Sequence, residues 1–217
     1  MANVLPVGLP EGLPDGQEEP EPDSPNLNSS DPDSSIKDQR VPPEGFVIDI
    51  QCDDARWQPY LGLVETRLGA LAQILELPAH GEVSVKLTDD RQISDLNSGF
   101  RGKSGATNVL SFPAQDFNAP AEQNIFPDIA FSLGDIVLAF DTLACEAGAA
   151  DEDFADHLTH LLVHGLLHLL GYDHQNDADA MQMEAREIVL LAGVGVDDPY
   201  GATSAETGKG ETGRDNR

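Results

Sequence analysis

Basic side chains are scarce in this chain: 12 Lys or Arg stand against 39 Asp or Glu among 217 residues, a formal net charge of −27. That balance excludes the broad basic face that nucleic-acid binders usually present, so any anion the protein handles must be met by a few local cations. Cysteine is scarcer still. Cys52 and Cys145 are far apart and form no CxxC pair, which argues against a disulfide framework or a cysteine zinc site and fits a reducing cytosol. No apolar run approaches the ~18 residues of a membrane span. The opening MANVLPVGLPEG lacks a basic region and is broken by prolines, so a secretory leader is not expected either. These absences together predict a soluble, cytoplasmic protein.

Aromatic residues are missing from residues 1–45, which hold nine of the fifteen prolines and ten Asp or Glu against two Lys or Arg. Such a segment buries too little apolar surface to offset its ordering entropy and is expected to be a disordered acidic extension. Residues 201–217, built from Gly, Thr, Ser and charged residues, are expected to form a disordered tail. A single domain is left at 46–200, about 155 residues, enough to bury roughly 70% of its unfolded surface without covalent staples. Its charge is still −19, with only Arg56, Arg67, Lys86, Arg91, Arg101, Lys103 and Arg186 as fixed cations.

Periodicity divides this domain. FVIDIQ (46–51) and the alternating Val83, Val85 and Leu87 read as strands, and a helix is expected between them on Trp57, Leu61, Val64, Leu68, Leu71 and Leu75, stopped by Pro78. A short helix at 92–98, strands at 107–113 and 131–140, and helices near 142–149, 154–170 and 178–192 follow, with loop between the last two strands. The pattern is that of an α/β or α+β domain: a small mixed sheet of four strands packed by about five helices.

Five of the six histidines fall between 157 and 174. On a helix of 100° per residue, His157, His160, His164 and His168 lie within an arc of about 80°. The i, i+4 pair His164 and His168 can direct both rings to one metal ion, and Gly171 can end the helix so that His174 returns as third ligand. Three ligands leave the fourth position open, the catalytic arrangement. His157 and His160 are expected to pack or to hydrogen-bond rather than to bind metal. The spacing HxxxHxxGxxH is that of the zinc proteases, whose HExxH glutamate takes a proton from the metal-bound water, but Gly165 stands in its place.

HLLVHGLLHLLGYDH (160–174), FRGKSGATNVLSFP (100–113), LGDI (133–136) and DDPY (197–200) resemble the motifs of the YbeY endoribonucleases, or rRNA maturation factors, and the resemblance covers essentially all of 46–200. It implies an α/β fold and a zinc-dependent, single-strand-specific endoribonuclease of ribosome biogenesis, acting in maturation of the 16S ribosomal RNA 3′ end. It further implies one zinc per chain on His164, His168 and His174, with Arg101 and His164 in the chemistry and Arg101 and Lys103 on the substrate. Single-stranded RNA and the small ribosomal subunit, met through basic ribosomal proteins, are the implied partners. Ser104 and Asn108 depart from the usual pattern, in which acidic residues are common. Asp135 and Asp173 are candidates to orient the histidine rings, against a strand-end turn and a helix-terminating turn respectively. Glu187 is expected to face solvent.

A phosphodiester also explains the missing base. A leaving ribose oxygen needs charge stabilisation more than it needs a proton, and a metal alone lowers the pKa of its water to about 7. An adjacent 2′ hydroxyl could equally be the nucleophile with the metal as Lewis acid, and the sequence does not separate the two routes. Arg101 would then pair with phosphate oxygens as charge builds. Two other readings stay open: a metalloprotease, which loss of a general base would slow by ~10²–10⁴-fold, and a non-catalytic ribosome assembly factor with structural zinc.

Overall fold

Alternating burial extends VIDIQC as β1 (Val47–Cys52) and GEVSVKLT as β2 (Gly81–Thr88), with Val83, Val85 and Leu87 turned into the core. The two strands pair in parallel, so the chain must cross over between them. It does so through a 3-10 helix (Ala55–Tyr60) and α1 (Leu61–Ile74). The one helix expected from Trp57 to Leu75 is therefore two pieces. Pro59 cannot donate a backbone hydrogen bond, and the α-helix proper starts beyond it. α1 closes at Glu76, which takes φ 53°, with Glu76 N–H on the Gln73 carbonyl and Leu77 N–H on that of Ala72.

The computed structural model describes residues 42–115 and 131–201, which lie within one compact unit, Asp38–Arg217. The expectations of an unstructured extension and tail, and of a loop after the third strand, fall almost wholly outside the described residues.

After β2, Asp89 caps α2 (Asp90–Leu96) by accepting from Gln92 N–H at 2.8 Å, so this helix starts two residues before the expected Gln92. A π-type turn, Asn97–Arg101, follows directly. β3 (Val109–Pro113) begins later than expected because the Asn108 side chain takes the Val109 N–H at 2.7 Å. β4 (Phe131–Ala139), α3 (Phe140–Ala150), α4 (Phe154–Leu169) and α5 (Asp177–Gly193) complete the described elements. The sheet order is β1-β2-β4-β3, with β3 antiparallel at one edge. A small mixed four-stranded sheet with five α-helices is the architecture expected from the sequence.

One face of the sheet is buried under a core to which α1, α4 and α5 contribute Leu68, Leu71, Leu162, Leu166 and Leu190. A smaller cluster of Leu110, Val137, Ala139 and Ile93 joins the sheet to α2. Trp57 anchors the larger core: it is fully buried, packs edge-on against Phe140 with ring centres 5.1 Å apart, and donates its indole N–H to the Thr88 carbonyl at 2.9 Å.

β4 approaches β3 most closely at Gly134, where φ is 122° and a Cβ would stand 2.1 Å from the Phe112 carbonyl oxygen. The β2–β4 register shifts at the same point, between Glu82 and Val83. Gly134→Ala is expected to cost at least the ~1–3 kcal/mol of a strained backbone, read as a lower denaturant midpoint. Gly62→Ala, in α1 with nothing within 4 Å of the new Cβ, should instead stabilise by ~0.5–1 kcal/mol.

Candidate metal centre and anion cleft

α4 is positioned by its two faces. Asp153 caps it, accepting from Ala155 N–H at 2.8 Å, and Leu158, Leu162, Leu166 and Leu169 bury its apolar stripe. Gly165 belongs to the face lying on the sheet: a Cβ there would stand 3.1 Å from Ile136 Cγ2 and 3.2 Å from Ser111 Oγ. The helix rests directly on β3 and β4 at this point. A glutamate at 165 would press its Cβ on Ile136 and Ser111, so a protease-like base is disfavoured there by packing.

The adjoining stripe carries His164 and His168, and what holds them is explicit. His164 Nδ1–H donates to Glu187 Oε1 at 2.8 Å, and His168 Nδ1–H donates to the Tyr172 carbonyl at 2.9 Å. Each acceptor has no proton to give, so each Nδ1 carries its hydrogen and each Nε2 is turned toward the open side. Those two Nε2 atoms stand 3.1 Å apart. At that spacing the two nitrogens can share one proton as a hydrogen bond, or would together hold one metal ion. Burial, reinforced by the neighbouring His164, pushes the His168 pKa down to about 4, so its ring is neutral and able to ligate near pH 7.

Gly171 ends the helix as expected. With φ 89° it lets Gly171 N–H reach the His168 carbonyl and Tyr172 N–H that of Leu167, and the chain turns back to His174. Donor atoms of His164, His168 and His174 then all lie within 4.8 Å of one another, so the group can hold a metal ion. The site sits at the C-terminal end of α4, where the helix dipole favours a cation.

Glu187 does not face solvent. It is 1% exposed, and α5 presents it to α4, where it accepts from His164, contacts His160 Nε2 at 3.4 Å and accepts from the Tyr200 hydroxyl. Burial acts to raise its pKa, but the bonds from His160, His164 and Tyr200 outweigh it and hold the carboxyl at about 2. The Tyr200 pKa is raised by burial and by its carboxylate partner. A signal for Glu187 was present in the sequence: it shares the spacing of Met183, Leu190 and Leu191, the buried stripe of α5.

The other candidates separate cleanly. Asp173 accepts from His174 N–H at 2.8 Å and from the Gln175 amide, the helix-terminating alternative. Asp135 lines a different cavity, of about 430 Å³, with Asp49, Lys86 and Phe100, and is not among the partners of the histidine rings. His157 lies between Glu146 (3.1 Å) and Glu152 (3.2 Å), away from the three-histidine group. Ser104 is exposed. Asn108 donates to Glu146 at 2.9 Å, a bond an aspartate could not make without setting two carboxylates together.

Arg101 and Lys103 come from the turn after α2 and line a cleft of about 680 Å³ together with Ser111, His168, His174 and Gln115. Buried Asn97 shapes that turn: its side-chain amide donates to the Gly105 carbonyl at 3.0 Å, and its own carbonyl accepts from Lys103 N–H. Gly102 at φ 64° completes the reversal. Two cations thus meet the metal-ligating face across one open cavity, in a protein where cations are rare.

Fold and site together define a mixed α/β protein with a three-histidine group that can hold a metal ion, opening onto an arginine- and lysine-lined cleft. Residues 48–195 match the family described as Endoribonuclease YbeY, and the chain belongs to that family. Its relatives include the Endoribonuclease YbeY of Paramagnetospirillum magneticum, 46% identical over 72% of this chain and 95% of that protein. Those of Ruegeria pomeroyi (46%, over 71% of this chain and 98% of that protein) and Rhizobium johnstonii (46%, 70% and 92%) are similar to the same extent.

Replacing the buried carboxylate by an amide, Glu187→Gln, should weaken metal binding by ~10–100-fold while the protein stays folded, because the carboxylate orients His164 and raises its basicity. Competition with a chromogenic chelator measures it. Metal analysis of His164→Ala and of His168→Ala should show loss of bound metal in each.

Proposed function

We propose that this protein is a zinc-dependent endoribonuclease that cleaves single-stranded RNA and acts in ribosomal RNA maturation, at the 3′ end of 16S RNA. The observation carrying this reading is the shared cleft, in which Arg101 and Lys103 face His168 and His174. The name borne by the relatives and the motif resemblance supply the substrate class. A divalent metal held by His164, His168 and His174 supplies Lewis acidity and lowers the pKa of a coordinated water.

The chain's own residues do the rest. Arg101 offers a planar fork to two phosphate oxygens and stabilises the charge that develops there, and Lys103 adds a second positive charge to the cleft. Glu187 and the Tyr172 carbonyl hold the imidazoles in the ligating tautomer. Single-strand preference follows from a local cleft with two cations, which can grip one bent backbone but cannot track both strands of a duplex. The acidic surface suits encounter with the ribosome through basic ribosomal proteins rather than through naked RNA. Among the described residues no helix is long and apolar enough to cross a membrane, which is compatible with work in the cytoplasm.

Incubation of zinc-loaded protein with single-stranded RNA, duplex RNA and casein tests the reading: only the first should be cut. Cutting of casein, or of none of the three, would reject it. Arg101→Ala should keep fold and zinc yet slow RNA cleavage by ~10²-fold or more, by analogy with loss of one oxyanion donor. Arg101→Lys should stay impaired, because an ammonium cannot grip two oxygens together. Steady-state cleavage of a labelled oligonucleotide, with zinc content measured in parallel, gives both answers.

A further inference from the structure

Ser111 is 8% exposed, and its hydroxyl is buried with no hydrogen-bond partner among the described residues. A buried hydroxyl left unsatisfied is destabilising, and native proteins keep few of them. This one stands at a particular place. Ser111 lies on β3, lines the same cleft as Arg101, Lys103, His168 and His174, and its Oγ is 3.2 Å from where a Cβ on Gly165 would be. The helix position that carries the base in the zinc proteases is thus bare, and a strand hydroxyl fills the space beside it.

We propose that the Ser111 hydroxyl is a substrate-contacting donor: it gives its hydrogen bond to a phosphate oxygen of RNA held in the cleft by Arg101. This rests on the nuclease reading given above. A serine hydroxyl is too weak an acid to be the ionised base at neutral pH, but it is a good neutral donor, and rotation about χ1 between staggered wells is the motion by which it would reach the cavity the residue lines. Arg101 and Ser111 would then approach the phosphate from two elements, one on the turn after α2 and one on the sheet edge. Their combined geometry specifies a tetrahedral oxyanion more closely than an exposed arginine alone. Substrate in the cleft would give the hydroxyl a partner that the described residues do not supply.

Two variants, Ser111→Ala and Ser111→Cys, with three readouts test this. Thermal unfolding comes first: Ser111→Ala should be as stable as the parent or more so, since it removes an unsatisfied polar atom, whereas a hydroxyl serving the fold would show a lower Tm on removal. Zinc content should be unchanged in both variants. Affinity for a single-stranded 2′-O-methyl oligonucleotide, which binds but lacks a free 2′ hydroxyl, should fall ~3–10-fold for Ser111→Ala, the size of one neutral hydrogen bond. Cleavage of the unmodified strand should fall further, by ~10²-fold, mainly in kcat. Ser111→Cys should stay impaired, because a thiol is a weak donor. Unchanged affinity and unchanged cleavage in Ser111→Ala, or a clear loss of Tm, would overturn the proposal. If the parent protein itself fails to cleave RNA, the nuclease reading falls while the oligonucleotide affinities still decide whether Ser111 contacts phosphate.

Discussion

The contact on which the site depends is the approach of α4 to the strands at Gly165. With no side chain there, the helix lies against Ile136 and Ser111, and that single registration turns the next stripe of α4, with His164 and His168, toward the open edge of the sheet. The β3 edge strand and the turn after α2 then form the far wall of the cleft. A Cβ at 165 would press on Ile136 and Ser111, so that one of them or the helix must shift. The same glycine therefore leaves no room for a protease-like carboxylate without such a shift, and it lets the helix lie beside the cleft that Arg101 lines.

The histidines are held from behind by groups of two kinds. The Tyr172 carbonyl belongs to the turn that Gly171 makes possible, so His168 is oriented by the same reversal that delivers His174. Glu187 reaches His164 from α5 and is itself held by Tyr200 in the DDPY segment. A buried carboxylate is stable only when paired, and here its partners are the metal-ligating face and a tyrosine beyond α5. Removing any one of them would leave charge or lone pairs uncompensated, so helix packing and metal affinity form one linked system.

Much of this was legible in the sequence, for reasons that differ by residue. Helical arithmetic places the histidines on one face, and the Gly171 reversal follows from the backbone freedom of glycine. Strand periodicity would also have excluded Asp135: it alternates with Ile136 and Leu138, which point into the main core, so it must sit on the opposite face. Glu187 departs from the expectation of a solvent-facing carboxylate because its helical spacing, and not its charge, decides its burial. Its place in the stripe of Met183, Leu190 and Leu191 forecasts burial, but the partner that makes burial tolerable lies 23 residues earlier, on α4. The break of the first helix at Pro59 was a local signal. The role of Asn97 in shaping the Arg101 turn had no local signal, because it rests on a bond to a carbonyl eight residues on.

The charge balance takes on a different meaning once the cleft is known. A protein of net charge −27 repels RNA at distances beyond the Debye length only weakly, since salt screens the field within about 8–10 Å. At contact the relevant charges are the local ones, and Arg101, Lys103 and a divalent metal at the three histidines would together make the cleft floor positive. Without a basic approach surface, the protein gains little nonspecific RNA affinity. On the proposed reading, cleavage would then favour strands delivered to the cleft by something else that the acidic surface can bind. Scarcity of lysine and arginine, which at first argues against a nucleic-acid enzyme, would limit such an enzyme to that kind of encounter.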